Sequence, residues 1–293
     1  MAAPTPREDR PLAAVLVMAG AVFLFTMIDT SAKWLIMGGL PALQVVFSRY
    51  AGAFITALVF FMPKGGLGEF RSNRPWIQLL RAFALLGSTV FNFVALSYLP
   101  ITLTIAMFFA VPIMVTLLSI PILDEKVGLR RFLAVVTGFL GVLVIVQPWG
   151  AQFHWAIFLS IGALLCASVY FVLTRLLAGT DNNSTSQLWS SGVATVALAP
   201  VALHELAWPA DGFTMFVFLF IGVIGGVSHV LATLAYRFAP AATVAPVVYV
   251  QVIYGTVIGY LVFDNLPTVW TAIGTMIIIG SGIYIWHRER VRA

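Results

Sequence analysis

The 293 residues are 61% hydrophobic and only 9% charged, with a mean hydropathy of +1.01, whereas a water-soluble domain carries about 25% charged residues. That composition excludes a soluble globular fold, and ten spans of ~20 apolar residues each leave no length for a separate soluble domain. The net charge of +5 does not point to nucleic acid, because the basic residues sit in short connections rather than on one continuous face.

The apolar runs fall at 11–35, 42–61, 76–97, 101–122, 131–147, 155–177, 187–203, 213–235, 241–263 and 268–286. Pro, Gly or charge marks nearly every gap, as at Gly38-Gly39-Leu40-Pro41, Leu99-Pro100, Asp124-Glu125-Lys126, Gln147-Pro148 and Leu266-Pro267. The runs are too long and too evenly apolar for barrel strands, which alternate over ~10 residues, so each is read as a helix. The first run continues past Phe25 and is read as an uncleaved spanning helix rather than a signal peptide. Cys166 is the only cysteine and lies inside an apolar run; it is read as a packing residue, with no metal site and no cofactor implied.

Orientation follows from the basic residues. With the N-terminus in the cytoplasm, the inside segments collect Arg7, Arg10, Lys64, Arg71, Arg74, Lys126, Arg130, Arg131, Arg175, Arg237, Arg288, Arg290 and Arg292. The outside segments collect only Lys33, so both termini are expected inside. The charge rule also puts the glycosylation sequons around Asn182–Thr185 in the cytoplasm, where they carry no meaning. A shift of 142 residues lays Gly20-Ala21 over Gly162-Ala163 and Lys33 over Arg175. A shift of 140 lays Ala95–Pro100 over Ala235–Pro240 and Asp124 over Asp264. The repeat unit is five helices, an odd number, so residues 1–150 and 151–293 are expected to form two halves of opposite orientation, an arrangement that recurs in secondary transporters.

Ionisable residues inside spans are costly and point to function. Among the acids only Asp29 lies within a run, ~27 Å along a helix from Pro11. Lys33 lies four residues on, on the same face, and Arg49 is ~10 Å in from the start of the second helix. The three suggest a charge cluster. In one reading Arg49 draws an anionic group such as a carboxylate into the pathway; in the other it neutralises Asp29 and ties helices 1 and 2 together. His229 is either a group that titrates near neutral pH or a packing residue. Asn92, Gln251, Tyr98 and Tyr249 combine amides and aromatics in a way that suits a cavity for a small amphipathic solute, or simply join helices. Pro112 and Pro246 interrupt backbone hydrogen bonding within their spans, as kinks or as hinges. Small-xxx-small patterns at Gly222–Gly226 and Gly255–Gly259 predict close helix crossings. Trp76, Trp149, Trp155, Trp270 and Trp286 form an interfacial belt.

Gly20 and Lys33 in the first helix, Ser48-Arg49-Tyr50 in the second, and the stretch from Ala95 to Pro148 carry a family likeness. That stretch has Leu99-Pro100, Asp124-Glu125 and Gly138-Phe139-Leu140-Gly141. On these motifs the chain resembles the ten-helix, EamA-type group of the drug/metabolite transporter superfamily, and within it bacterial amino-acid exporters of the YddG type. The second half departs from the pattern, with Gly192 near the place of Arg49 and Asn265 in place of Glu125, so the halves are expected to differ in function. The resemblance implies a monomeric secondary transporter in a bacterial inner membrane. It would export small metabolites, amino acids above all, by alternating access around a central cavity. The other readings are a carrier of drugs or nucleotide sugars and an intramembrane enzyme. No phosphate-gripping Gly-Lys-Ser/Thr loop is present in the sequence, and one acid with one distant His gives no catalytic pair.

Overall fold

In a computed structural model, residues 10–123, 129–147, 153–177, 180–204, 206–239 and 244–290 are described; Asp124, Glu125, Pro148 and Trp149 lie outside them. Every regular element among these residues is a helix: α1 (Pro11–Met37), α2 (Ala42–Gly65), a 3-10 turn (Gly66–Phe70), α3 (Pro75–Leu96), α4 (Ile101–Phe108), α5 (Val111–Leu123), α6 (Leu129–Val146), α7 (Ile157–Leu177), α8 (Asn183–His204), α9 (Gly212–Phe238), a 3-10 segment (Ala245–Val250), α10 (Gln251–Phe263) and α11 (Val269–Arg290). Among the described residues seven spans are long and apolar enough to cross a membrane, with 101–122 taken as one. Three further apolar helices, Val136–Val146, Val247–Phe263 and Val269–Tyr284, are shorter. The chain is a multi-pass, all-helical membrane protein.

Two elements depart from the continuous helices expected. The fourth run breaks into α4 and α5 at Phe109–Ala110, where the backbone bonds tighten to Ala106 and Met107 at 3.2 and 3.1 Å. Pro112 follows directly; it has no N–H for the carbonyl of Phe108, so a continuous ladder is not available there. Pro246 stands instead in the first turn of the 3-10 segment, where a missing N–H disrupts nothing.

Several hydroxyls on these helices are satisfied within their own helix. Thr26, Thr30, Thr56, Ser168, Ser191 and Thr195 each donate to the carbonyl four residues earlier, which keeps hydroxyls tolerable in lipid. α9 starts at Asp211, whose carboxylate accepts from Phe213 N (3.0 Å) and Thr214 N (2.9 Å). Bonds from the Thr214 hydroxyl and these amides hold the Asp211 carboxyl below its usual range. α10 ends at Asp264 in the left-handed region (φ 53°).

Each of α1, α2 and α3 packs mainly on helices of the second half: α1 on α9 and α10, α2 on α8 and α9, α3 on α7 and α8. α6 pairs with α11, and α4 touches α10. The α2–α9 crossing is backbone on backbone. A Cβ at Gly222 would come within 2.5 Å of Gly52 Cα and 2.7 Å of the Arg49 carbonyl oxygen. This close crossing sets the position of Arg49.

Candidate functional site

The motif Ser48-Arg49-Tyr50 sends three consecutive side chains to different neighbours, because successive helical residues point about 100° apart. Ser48 Oγ donates to the Phe218 carbonyl of α9. Tyr50 Oη donates to Leu85 O at 3.1 Å and lies 2.7 Å from Thr89 Oγ1 on α3. Arg49 Nη1 donates to the same Thr89 oxygen at 2.9 Å. The guanidinium lies 4.9 Å from the centre of the Tyr50 ring and 5.9 Å from that of Phe93, within cation–π range.

One turn along the same face of α3, Asn92 Nδ2 donates to Asp29 Oδ1 at 3.0 Å. Arg49 acts on Asp29 through its field, while the direct bond to the carboxylate comes from Asn92. Three buried side-chain polar atoms among the described residues have no hydrogen-bond partner, and two of them, Arg49 Nε and Asn92 Oδ1, belong to this cluster. Gly225 faces it from α9: a Cβ there would stand 3.9 Å from Arg49 Cγ and 3.8 Å from Ile28 Cδ1. One turn further along α9, His229 meets the edge of Phe25 at 5.1 Å, itself one turn from Asp29. Arg49 and Arg81 both act electrostatically on His229. α9 packs along α1, so His229 meets α1 at Phe25, one turn from Asp29.

The other expected residues lie elsewhere. Lys33 leaves the charge cluster: it is buried, its Nζ donates to the Leu99 carbonyl at 2.7 Å and it sits 5.3 Å over the Phe263 ring. A shared helix face did not bring a shared partner, because the carbonyl freed by the α3–α4 turn at Leu99-Pro100 lies nearer. Tyr98 is 52% exposed; it stacks with His154 at 5.7 Å and meets Trp155 in a tilted contact at 5.1 Å. α3 has ended at Leu96, and the turn carries Tyr98 outward. Tyr249 packs on Phe109 (5.6 Å), next to the α4–α5 break, and Gln251 is half-buried where the 3-10 segment becomes α10. A cavity of about 250 Å³ opens nearby, lined by Thr102, Phe109, Gly255, Thr271 and Thr275 among others. Neither it nor a second of about 440 Å³ beside Trp34, Trp208 and Asp211 includes Arg49 or Asp29.

Sequence reasoning missed a polar cluster joining the α2–α3 connection to the α7–α8 connection. Asp181 accepts from Ser72 Oγ (2.5 Å), Asn73 N (2.8 Å) and Gln78 Nε2 (2.9 Å), and Asn73 Nδ2 donates to Thr180 O (2.6 Å). Ser184 donates to Glu69, and Trp189 Nε1 to Phe70 O at 2.9 Å. Below this layer Arg81 is 2% exposed and donates to Gln78, Thr174, the Ser186 carbonyl and Ser190, with Tyr170 at 5.0 Å. At the opposite end Gln44 grips the backbone of Ala207, donating to its carbonyl (2.6 Å) and accepting from its N–H (3.0 Å).

Known proteins of similar sequence are transporters. The chain is 28% identical to a riboflavin transporter of Rhizobium johnstonii, over 97% of this chain and 94% of that one. It is 29% identical to a riboflavin transporter of Vibrio cholerae, over 97% of each. It is 24% identical to an S-adenosylmethionine uptake transporter of Rickettsia prowazekii, over 86% and 85%. The model of the EamA-like transporter family matches residues 12–147 and again residues 154–286, so the chain belongs to that family and is a membrane transporter, not an enzyme.

Proposed function

We propose that this transporter takes up a metabolite built on a flat nitrogen heterocycle, with riboflavin the first candidate. The observation that carries this reading is the interior cluster of Arg49, Thr89, Asn92 and Asp29 set among the rings of Tyr50, Phe93 and Phe25. A few polar groups converging within an apolar, aromatic surround are what a small-molecule site requires. Riboflavin and S-adenosylmethionine, for which the relatives are named, differ in charge and size but both contain such a heterocycle. The amino-acid export implied by the earlier resemblance has no counterpart in these names. A second reading keeps part of it: Asp29 for an ammonium and Arg49 for a carboxylate would suit an amino-acid moiety such as that of S-adenosylmethionine.

The helix pairings support two inverted halves. Exchanging each helix of residues 1–150 with its counterpart in 151–293 turns the α1–α9 pair into α3–α7, and α2–α9 into α3–α8, all of them observed packings. The two matches of the family model fall on the same halves. On this reading the site lies between the halves, and the Asp181 cluster and the Gln44 clasp close opposite ends, as alternating access demands.

Uptake of radiolabelled riboflavin and S-adenosylmethionine by cells expressing the chain, with and without Arg49→Ala, tests the proposal. Saturable riboflavin entry that falls at least about tenfold in the variant, at equal membrane abundance, is expected. Absence of riboflavin entry with well-folded wild-type protein in the membrane would overturn it; entry of S-adenosylmethionine alone would select the second reading.

A further inference from the structure

The two bare atoms of the cluster are a matched pair. Arg49 Nε–H is a donor without an acceptor, and Asn92 Oδ1 is an acceptor without a donor, in a side chain only 7% exposed. Burying such groups unpaired is costly, and more so in lipid. Both are also held in orientation. Asn92 must turn its NH₂ to the Asp29 carboxylate, which leaves the oxygen as the free atom. Arg49 is pinned through Nη1 to Thr89, and the planarity of the guanidinium then fixes where Nε–H points. The two anchors, Thr89 and Asn92, are three residues apart on one face of α3, ~4.5 Å in rise. The free donor and the free acceptor thus belong to side chains anchored at neighbouring positions of α3, with the Phe93 ring 5.9 Å from the guanidinium.

We infer that Arg49 Nε and Asn92 Oδ1 read the adjacent donor–acceptor edge of a heterocycle, an imide or an aminopurine edge. The imide N–H, or the exocyclic amino N–H of an aminopurine, donates to Asn92 Oδ1, and the neighbouring carbonyl oxygen or ring nitrogen accepts from Arg49 Nε. This makes Asn92 a specificity-determining residue, and it rests on the substrate reading given under Proposed function. Thr89 and Asp29 are positioning residues, acting through Arg49 and Asn92. The competing occupant is an α-amino acid, whose carboxylate and ammonium would address Arg49 and Asp29 and need no imide.

The test is flux in liposomes containing the purified chain, with riboflavin and its N3-methyl derivative, in which the imide donor is removed. Wild type is expected to show a KM about tenfold higher for the methylated compound, the scale of one lost donor to a buried acceptor. In Asn92→Ala, and in the smaller polar change Asn92→Ser, the KM for riboflavin rises and the ratio between the two compounds collapses to about twofold or less. Equal handling of the compounds by wild type, or an undiminished ratio in both variants, overturns the inference while leaving riboflavin transport standing. No riboflavin flux in wild type, or flux abolished by competing amino acids alone, overturns the inference and the substrate reading together. Should Asn92→Ala fail to fold, Asn92→Ser and the wild-type ratio decide.

Discussion

Arg49 and Arg81 are both arginines within helices, and their surroundings separate their roles. The guanidinium of Arg81 donates four hydrogen bonds within the protein, from all three of its nitrogens, and has an aromatic face at 5.0 Å. Arg49 has one anchored nitrogen and one bare one. Arg81→Ala is therefore expected to strip partners from Gln78, Ser186 and Ser190 and to lower stability by about 2–4 kcal/mol, seen as an early transition in detergent melts. Arg49→Ala should melt close to wild type, within about 1 kcal/mol, and lose flux. The reverse pattern would exchange the two roles. Asp29, Arg49 and Asn92 were legible in the sequence because polar groups deep in apolar runs are rare enough to stand out. Lys33 was misread because helical spacing gives a face, not a partner. Asp181 and Arg81 were illegible as hubs, since their partners lie about a hundred residues away in the other half.

At the scale of elements, the ten runs were readable from length and apolarity alone, and their boundaries mostly fall within a few residues. The α4–α5 break coincides with Pro112, and Pro246 stands in the first turn of a 3-10 segment, a position the sequence does not specify. Glycines divide in the same way. Gly20, part of the family likeness, has nothing within 4 Å of a Cβ position, whereas Gly52 and Gly222 meet backbone to backbone. Gly20→Ala is expected to be neutral or to stabilise α1 by up to about 1 kcal/mol. Gly222→Ala must force α2 and α9 apart; a loss of at least about 2 kcal/mol is expected, along with impaired flux, since Arg49 rides on that crossing. Thermal melts of the two variants side by side check this, and equal melting temperatures would refute the packing argument. Gly192, near the place of Arg49 in the repeat expected from the sequence, admits the Phe54 ring, which lies 3.1 Å from its Cβ position. The glycine was visible in the sequence, but its use, room for an α2 ring on α8, follows only from the packing of those two helices.

At the scale of the whole molecule, the Asp181 cluster ties one end of the bundle shut. Partial burial pushes the Asp181 carboxyl up, but the bonds from Ser72, Asn73 and Gln78 outweigh it and hold it below its usual value of 3.8. A depressed carboxyl stabilises the tied state above its ordinary value and loses that contribution only as pH falls through the lower, folded value. The tie should therefore be insensitive to pH between about 5 and 8; a flux profile of Asp181→Asn parallel to wild type over that range is the expected result. The alternating access proposed above requires this end to open. With Cys166, the only cysteine, replaced by Ser, the pair Asn73→Cys and Thr180→Cys should arrest flux when oxidised and release it on reduction. Unchanged flux across a formed disulfide would exclude opening at this end.

The central claim, an interior site at Arg49 that moves a heterocyclic solute, is tested most directly by counterflow. Purified chain in liposomes preloaded with unlabelled riboflavin is given labelled riboflavin outside, with no other gradient. The account predicts transient accumulation of label in wild type, unaffected by excess amino acids and absent in Arg49→Ala that melts like wild type. Accumulation that persists undiminished in Arg49→Ala, or none in wild type, would contradict it.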